Sequence, residues 1–278
     1  QVIRYLDEAQ ADRLLPMADA VALVEQALRA RAGGRAQDVP RTRARVPAGT
    51  LHMMGAAAPD IGVIGYKAYY SCVGKGTRFH VHLYDIASGK PTAMLEASYL
   101  GQARTGAASG VATRYMARAG AAVVGSLGAG KQAIGQLEAV CAVRAIREAR
   151  VWSRNPERAQ SFCAALAPKL GIRMTPVDSA EAAVRGTDIV NVVTKAATPV
   201  LRGEWLAPGQ HVNAAGSNSL ARRELDEAAV GRAGTVVVDS RATARGECGD
   251  LLPHTETGRL DWDALPELGE VILGHVPG

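Results

Sequence analysis

The chain is short of the features that mark several large classes of protein. Phenylalanine occurs only twice and aromatics make up 4% of 278 residues, so the stacking platforms of a nucleic-acid surface have little to be built from. The net charge is +5, but the basic residues are scattered through segments such as RTRAR and REAR instead of lining one helix face. No nucleic-acid partner is expected, and anionic small molecules are the expected beneficiaries. No apolar run reaches the roughly 18 residues needed to cross a bilayer, and no basic-then-apolar leader opens the chain; a soluble, cytoplasmic protein with no membrane partner is expected. The first residue is Gln1 and not Met, as expected of a chain whose start has been trimmed or left out. The four cysteines, Cys72, Cys141, Cys163 and Cys248, form no C-x-x-C pair, which argues for reduced thiols and against a zinc finger. His80 and His82 alternate in FHVHLYD and would share a strand face, but no third ligand lies nearby, so no metal is expected.

What is present falls into two patterns. From Ala18 to Arg31 the apolar residues Val21, Val24, Ala27 and Leu28 follow helical spacing, and Gly33-Gly34 ends the run. Strand-like segments follow: LHMM, IGVIGYKAYYS and FHVHLYDIASGKPTAMLE, with a Gly-Lys-Gly turn between the last two and a Ser-Gly turn inside the third. They predict an antiparallel or mixed sheet. Leu100–Arg118 is alanine-rich, free of proline, and predicts a helix whose small residues permit close packing.

Beyond it the pattern changes. AAVVGSL, ARVWS, DIVNVVT, HVNAAG and TVVVDS are near-continuous apolar strands, as in a parallel sheet covered on both faces. Between them QAIGQLEAVCAV, PERAQSFCAAL, SAEAAVRG and ARRELDEAAVG have helical composition. Such alternation predicts a doubly wound α/β domain. Within it Gly128-Ala129-Gly130-x-x-Ala133 follows the first strand and opens the first helix, where backbone N–H groups and the helix dipole can hold a pyrophosphate. Lys131 and Gln132 lie in the same motif. At the end of the second strand, where an NAD-preferring site offers Asp or Glu, stand Ser153, Arg154 and Asn155. A guanidinium and two neutral polar groups suit a 2′-phosphate, so NADP(H) is the expected cofactor, with NAD(H) as the alternative.

The combination LGAGKQA, RTGAAS, GYK, VNAAGSNS and LGEV resembles the ornithine cyclodeaminase/μ-crystallin family along nearly the whole chain. The resemblance implies an α+β substrate-binding and dimerisation domain, residues 1–110 with a returning part at about 262–278, and a Rossmann-type NAD(P)-binding domain at 111–261; a homodimer follows from it. It implies hydride transfer between nicotinamide and the α-carbon of a small amino or imino acid. It also implies a cationic cluster for the substrate carboxylate: Arg41 in VPRTRARVP, with Arg43 close enough to compete, Lys67 and Arg104. Thr105 is implied near the cofactor phosphates, Thr194 facing the cofactor, and Glu247 facing the substrate.

Two departures bear on the chemistry. Cyclodeaminases and alanine dehydrogenases of the family carry an aspartate shortly after the NA-x-G turn, where a carboxylate serves as base. Asn218 stands there instead, and an amide cannot take that proton. The family chain also runs on past LGEVILGHVPG, whereas this one stops at Gly278. The leading reading is therefore a ketimine reductase-like oxidoreductase; an ornithine cyclodeaminase and a non-catalytic NADPH-dependent ligand-binding protein are the alternatives.

Overall fold

A computed structural model describes residues 3–278 and resolves the chain into two compact units, Gln1–Arg104 and Thr105–Gly278. The first unit is built on a six-stranded sheet of β1 (Arg4–Leu6), β2 (Gln37–Val46), β3 (Gly49–Ala58), β4 (Val63–Cys72), β5 (Arg78–Asp85) and β6 (Pro91–Glu96), in the order β1-β6-β5-β4-β3-β2. Strands β2 to β6 form an antiparallel meander, and β1 joins β6 in parallel. Two helices precede the meander: α1 (Glu8–Leu14), then α2 (Met17–Ala32), which ends at Gly33 as its spacing predicts.

Because side chains alternate along a strand, β4 divides its residues between two faces. Lys67 and Tyr69 share one face with His52 and Met54 of β3 and with Phe79 and Val81 of β5. Tyr66, Ala68 and Tyr70 share the other with Leu51, Met53, Gly55, His80 and His82. The segment holding RTRAR, which sequence reading left as scattered charge, is the edge strand β2. Its ladder slips between Val39 and Thr42, so Pro40, which has no N–H to give, sits at a bulge on an edge.

Helix α3 (Ser98–Met116) follows β6. Its first two N–H groups, on Ser98 and Tyr99, donate to the Glu8 carboxylate at 2.6 and 2.7 Å, and Tyr99 Oη donates to the Leu15 carbonyl at 2.8 Å. A carboxylate at a helix N-terminus satisfies orphan donors and complements the dipole. Glu8 thereby aims the helix that carries Arg104.

The second unit holds β7 (Val123–Leu127), β8 (Glu148–Trp152), β9 (Arg173–Pro176), β10 (Ile189–Val192) and β11 (His211–Ala214), all parallel, in the order β11-β10-β7-β8-β9. Helices α4 (Lys131–Val143), α5 (Pro156–Leu170) and α6 (Ala180–Val184) connect them. Leu137, Val140 and Leu166 pack on Val124, Ala149 and Ile189, while Ala183 and Val184 pack on Leu127, Val190 and Val192. The sheet is covered on both faces, as its unbroken apolar strands require. Along the chain the strand order is third-second-first-fourth-fifth, a doubly wound arrangement whose direction switches between β7 and β10. In this unit α3 crosses α4 through paired glycines: a Cβ on Gly106 would stand 2.2 Å from the Gly135 carbonyl oxygen.

Three sequence expectations are corrected. TVVVDS does not join the sheet; Val238 makes only an isolated bridge to Glu267, and Val236 and Val238 are apolar because they pack into the core. Of ARRELDEAAVG only α7 (Glu227–Gly231) is helical, because the Asp226 side chain caps it by accepting from Ala229 N at 2.8 Å. After it come α8 (Arg241–Glu247), α9 (Leu252–Glu256) and α10 (Leu268–Ile272). The resemblance returns residues 262–278 to the first domain, but Trp262 and Leu265 pack in the second unit's core, and Leu268 N donates to Val238 O.

Candidate active site

In the first unit, Lys67 sits mid-strand on β4, between Met54 and Val81. Its Nζ lies 5.5 Å from the Tyr69 ring centroid and 5.3 Å from that of Phe79. Tyr69 in turn stacks on His52, with centroids 4.4 Å apart. A Cβ on Gly101 would reach to 4.0 Å of Nζ, so the glycine of α3 leaves room beside the ammonium. Burial, and after it the charges of Arg104 and Arg41, together lower the Lys67 pKa to about 8. Arg41, on the bulged edge strand, bears on Lys67 through its charge; Arg43 pairs in register with His52, on the sheet face that carries Lys67. Three cations close enough to repel one another define a place that an anion would stabilise.

The dinucleotide motif lies in the second unit, at the switch between β7 and β10. Gly128 has φ +122°, and a Cβ there would come within 2.6 Å of the Val193 carbonyl oxygen and 3.5 Å of Thr194 Cγ2. Only glycine fits. Gly130 is the N-cap of α4, and no side chain caps that helix. Its opening turn, with Lys131 and Gln132 exposed and Ala129 buried behind them, suits the pyrophosphate of a nicotinamide dinucleotide: the backbone can approach closely, and the helix N-terminus offers donors. Thr105 is half-buried and its carbonyl accepts from Gln136 Nε2 of α4 at 3.4 Å.

At the end of β8, Ser153 is half-buried and Arg154 exposed. Asn155 has a second task, since its Oδ1 accepts from Arg158 N at 3.0 Å as the N-cap of α5. Sequence reading passed over Arg158. Its Nε donates to the Ala129 carbonyl at 2.9 Å, and one guanidinium nitrogen lies 3.6 Å from where a Gly130 Cβ would be. The arginine four residues beyond Arg154, on the first turn of the next helix, was the available signal. Thr194 also differs from expectation in its bonding. Its hydroxyl donates to Glu224 at 2.6 Å and accepts from Ala196 N at 3.0 Å, leaving no hydroxyl hydrogen for a cofactor.

Asn218 is exposed, in a turn closed by Ser217 Oγ donating to the Arg222 carbonyl at 2.8 Å. Glu247 is half-buried at the end of α8. A parallel bridge joins Ser219 to Cys248, which brings Asn218 and Glu247, each one residue earlier, to the same place. Among the described residues no three His, Cys, Asp or Glu side chains group as a metal site.

The parallel sheet and the glycine cradle at its switch point define an α/β protein of the dinucleotide-binding type. A model of the ornithine cyclodeaminase/mu-crystallin family matches residues 5–278, and the chain belongs to that family. It is 41% identical over 199 residues to Delta(1)-pyrroline-2-carboxylate reductase of Bacillus cereus, a match covering 71% of this chain and 61% of the relative's length. The Thermococcus litoralis Delta(1)-pyrroline-2-carboxylate reductase, solved with NADH and L-proline, superposes with a TM-score of 0.93 at 33% identity, covering 99% of this chain and 88% of that one. Iminosuccinate reductase of Paracoccus denitrificans, solved with NAD+, gives a TM-score of 0.93 at 26% identity over 100% of this chain and 88% of that one.

Proposed function

We propose that this protein reduces the C=N bond of a small cyclic α-imino acid, holding the substrate carboxylate on Arg41, Lys67 and Arg104. The reductase relatives, two of them solved with NADH or NAD+, support an oxidoreductase that works with a nicotinamide dinucleotide. The observation that carries the finer reading is the half-buried Lys67 beside two aromatic rings, its pKa lowered by burial and then by the charges of Arg104 on α3 and Arg41 on β2. When bound, the dinucleotide supplies a hydride. The chain's own residues do the rest. Arg41 and Arg104 hold the carboxylate and so orient the α-carbon. Lys67 Nζ, with a pKa of about 8, keeps a proton at neutral pH that it can offer to the imine nitrogen. Gly128, Ala129, Gly130 and the first turn of α4 cradle the pyrophosphate, with Lys131 and Gln132 at its rim and Thr105 and Thr194 shaping the walls. Imine plus hydride plus proton gives the cyclic amine, and no further base is required. The neutral, exposed Asn218 fits that chemistry better than cyclodeamination.

The reading extends to cofactor choice, assembly and place. Ser153, Arg154 and the adjacent Arg158 support a preference for NADP(H) over NAD(H), since no acid closes β8. A homodimer is supported by the sheet face opposite Lys67, where Val39, Val46, Leu51, Met53, Ile64, Tyr66 and Tyr70 remain 37–57% exposed. The family resemblance supports Glu247, beside Asn218, as a substrate-facing residue. No described helix is long and apolar enough to cross a membrane, and four free cysteines suit the reducing cytoplasm.

Oxidation of NADPH in the presence of Δ1-pyrroline-2-carboxylate, with L-proline as product, tests the function. Turnover on the order of 1 to 10³ per second is expected. Conversion of ornithine to proline and ammonia without imine reduction would overturn it, and so would NADPH binding without consumption.

A further inference from the structure

Glu224 belongs to no motif used above, and it is fully buried. Its Oε1 accepts from both donors of one residue, Thr194 N at 2.5 Å and Thr194 Oγ1 at 2.6 Å. The carboxyl also lies against Gly216, where a Cβ would stand 2.1 Å from Oε2. The backbone of Glu224 is tied as firmly. Its N–H and that of Leu225 donate to Asp250 Oδ1 at 2.6 and 2.9 Å, and its carbonyl accepts from Val200 N and Leu201 N at 2.8 and 2.9 Å. One residue therefore joins the chain leaving β10, the glycine turn after β11 and the segment that follows α8.

Burying a carboxyl is unfavourable unless it is well bonded, and burial pushes this one above the usual carboxylate range. The geometry says what the arrangement achieves. With the Thr194 hydroxyl drawn to Glu224, the threonine's Cγ2 methyl is the group turned toward Gly128, 3.5 Å from where a Cβ would be. The methyl thus lies against the first glycine of the dinucleotide motif, at the switch between β7 and β10.

We propose that Glu224 is a positioning residue of the dinucleotide site: by taking both donors of Thr194 it fixes the methyl toward Gly128 and holds the β10 and β11 exits in the form that accepts the cofactor. This rests on the nicotinamide reading of the site but not on the identity of the substrate. The test is a fluorescence titration of the purified protein with NADH and with NADPH, alongside thermal unfolding of each variant without cofactor. Glu224→Gln keeps an acceptor for Thr194 and should bind within about threefold of the unmodified protein. Glu224→Leu keeps the bulk but offers no acceptor, and should weaken both cofactors about tenfold or more, the usual size of a lost charge-assisted bond. Thr194→Val, which removes the hydroxyl donor and leaves the backbone N–H, should weaken binding in the same sense, and the Thr194→Val/Glu224→Leu pair should lose less than the sum of the two.

A folded Glu224→Leu protein with unchanged affinity would overturn the proposal, as would equal losses in Glu224→Gln and Glu224→Leu. If Glu224→Leu does not fold, unchanged affinity in Thr194→Val overturns it instead. An unmodified protein that binds cofactor but reduces no imine would sink the catalytic reading and leave this one standing; one that binds no cofactor would sink both.

Discussion

Lys67 carries the most accessible consequence at the scale of single residues. Its cation is held below the ordinary lysine range by burial and then by Arg104 and Arg41, at about 8. The charge that grips a carboxylate is therefore present below that pH and lost as the pH rises through it. kcat/KM for an imino acid should fall on the alkaline side with a midpoint near 8. Lys67→Arg should abolish that limb even if it lowers the plateau, because guanidinium stays charged; an identical limb in the variant would assign it elsewhere. Asn218 offers the converse experiment. Asn218→Asp should introduce or raise proline release from ornithine, with a new acidic limb in the pH profile, by a factor of about 10² to 10⁴ if a general base is what the chain lacks. At the cofactor, Arg154→Ala should cost NADPH about 1.5 to 3 kcal/mol and NADH much less. Equal losses in the two titrations would remove Arg154 from the 2′-phosphate.

At the scale of elements, glycine placement decides how α3, α4 and the β7 turn fit together. Gly106→Ala would drive a Cβ to 2.2 Å of the Gly135 carbonyl oxygen. Two helix backbones must then separate, at about 1 to 3 kcal/mol, visible as a lower Tm. The alanine-rich composition of α3 announced close packing, but which glycine meets which could be known only once the helices crossed. The proposed cationic cluster was legible for a different reason: Lys67 in GYK and Arg104 in RTGAAS lie in motifs shared with the family. Arg41 lies in β2, where a proline and a bulge hide the alternation, so the effect of its charge on Lys67 is seen only in the folded chain. Arg158 and Glu224 escaped notice because a lone arginine at a helix start and a glutamate in a charged stretch carry no periodic or motif signal.

For the whole molecule, the apolar face of the six-stranded sheet makes association the expected behaviour. Seven large hydrophobics across β2, β3 and β4 point away from Lys67 and stay exposed. Sedimentation at micromolar concentration should report twice the chain mass. Met53→Asp with Tyr66→Asp should shift the equilibrium toward the monomer, because a charge buried in such a face lacks a partner; a monomeric unmodified protein would refute the assignment of this face.

Motifs shared with the family suggested the residues proposed to hold a carboxylate, while the sequence by itself determined the doubly wound unit, the glycine cradle after its first strand, and the strands and turns of the other sheet. These depend on periods of two and 3.6 residues and on glycines whose need is local. Tertiary structure alone decided that TVVVDS packs as a loop, that Trp262 and Leu265 join the second unit's core, that the charge of Arg41 bears on Lys67, and that Thr194 answers to Glu224. Each of those depends on which distant segment comes to lie alongside, and hydrophobicity, which is non-directional, says that a residue is buried without saying against what.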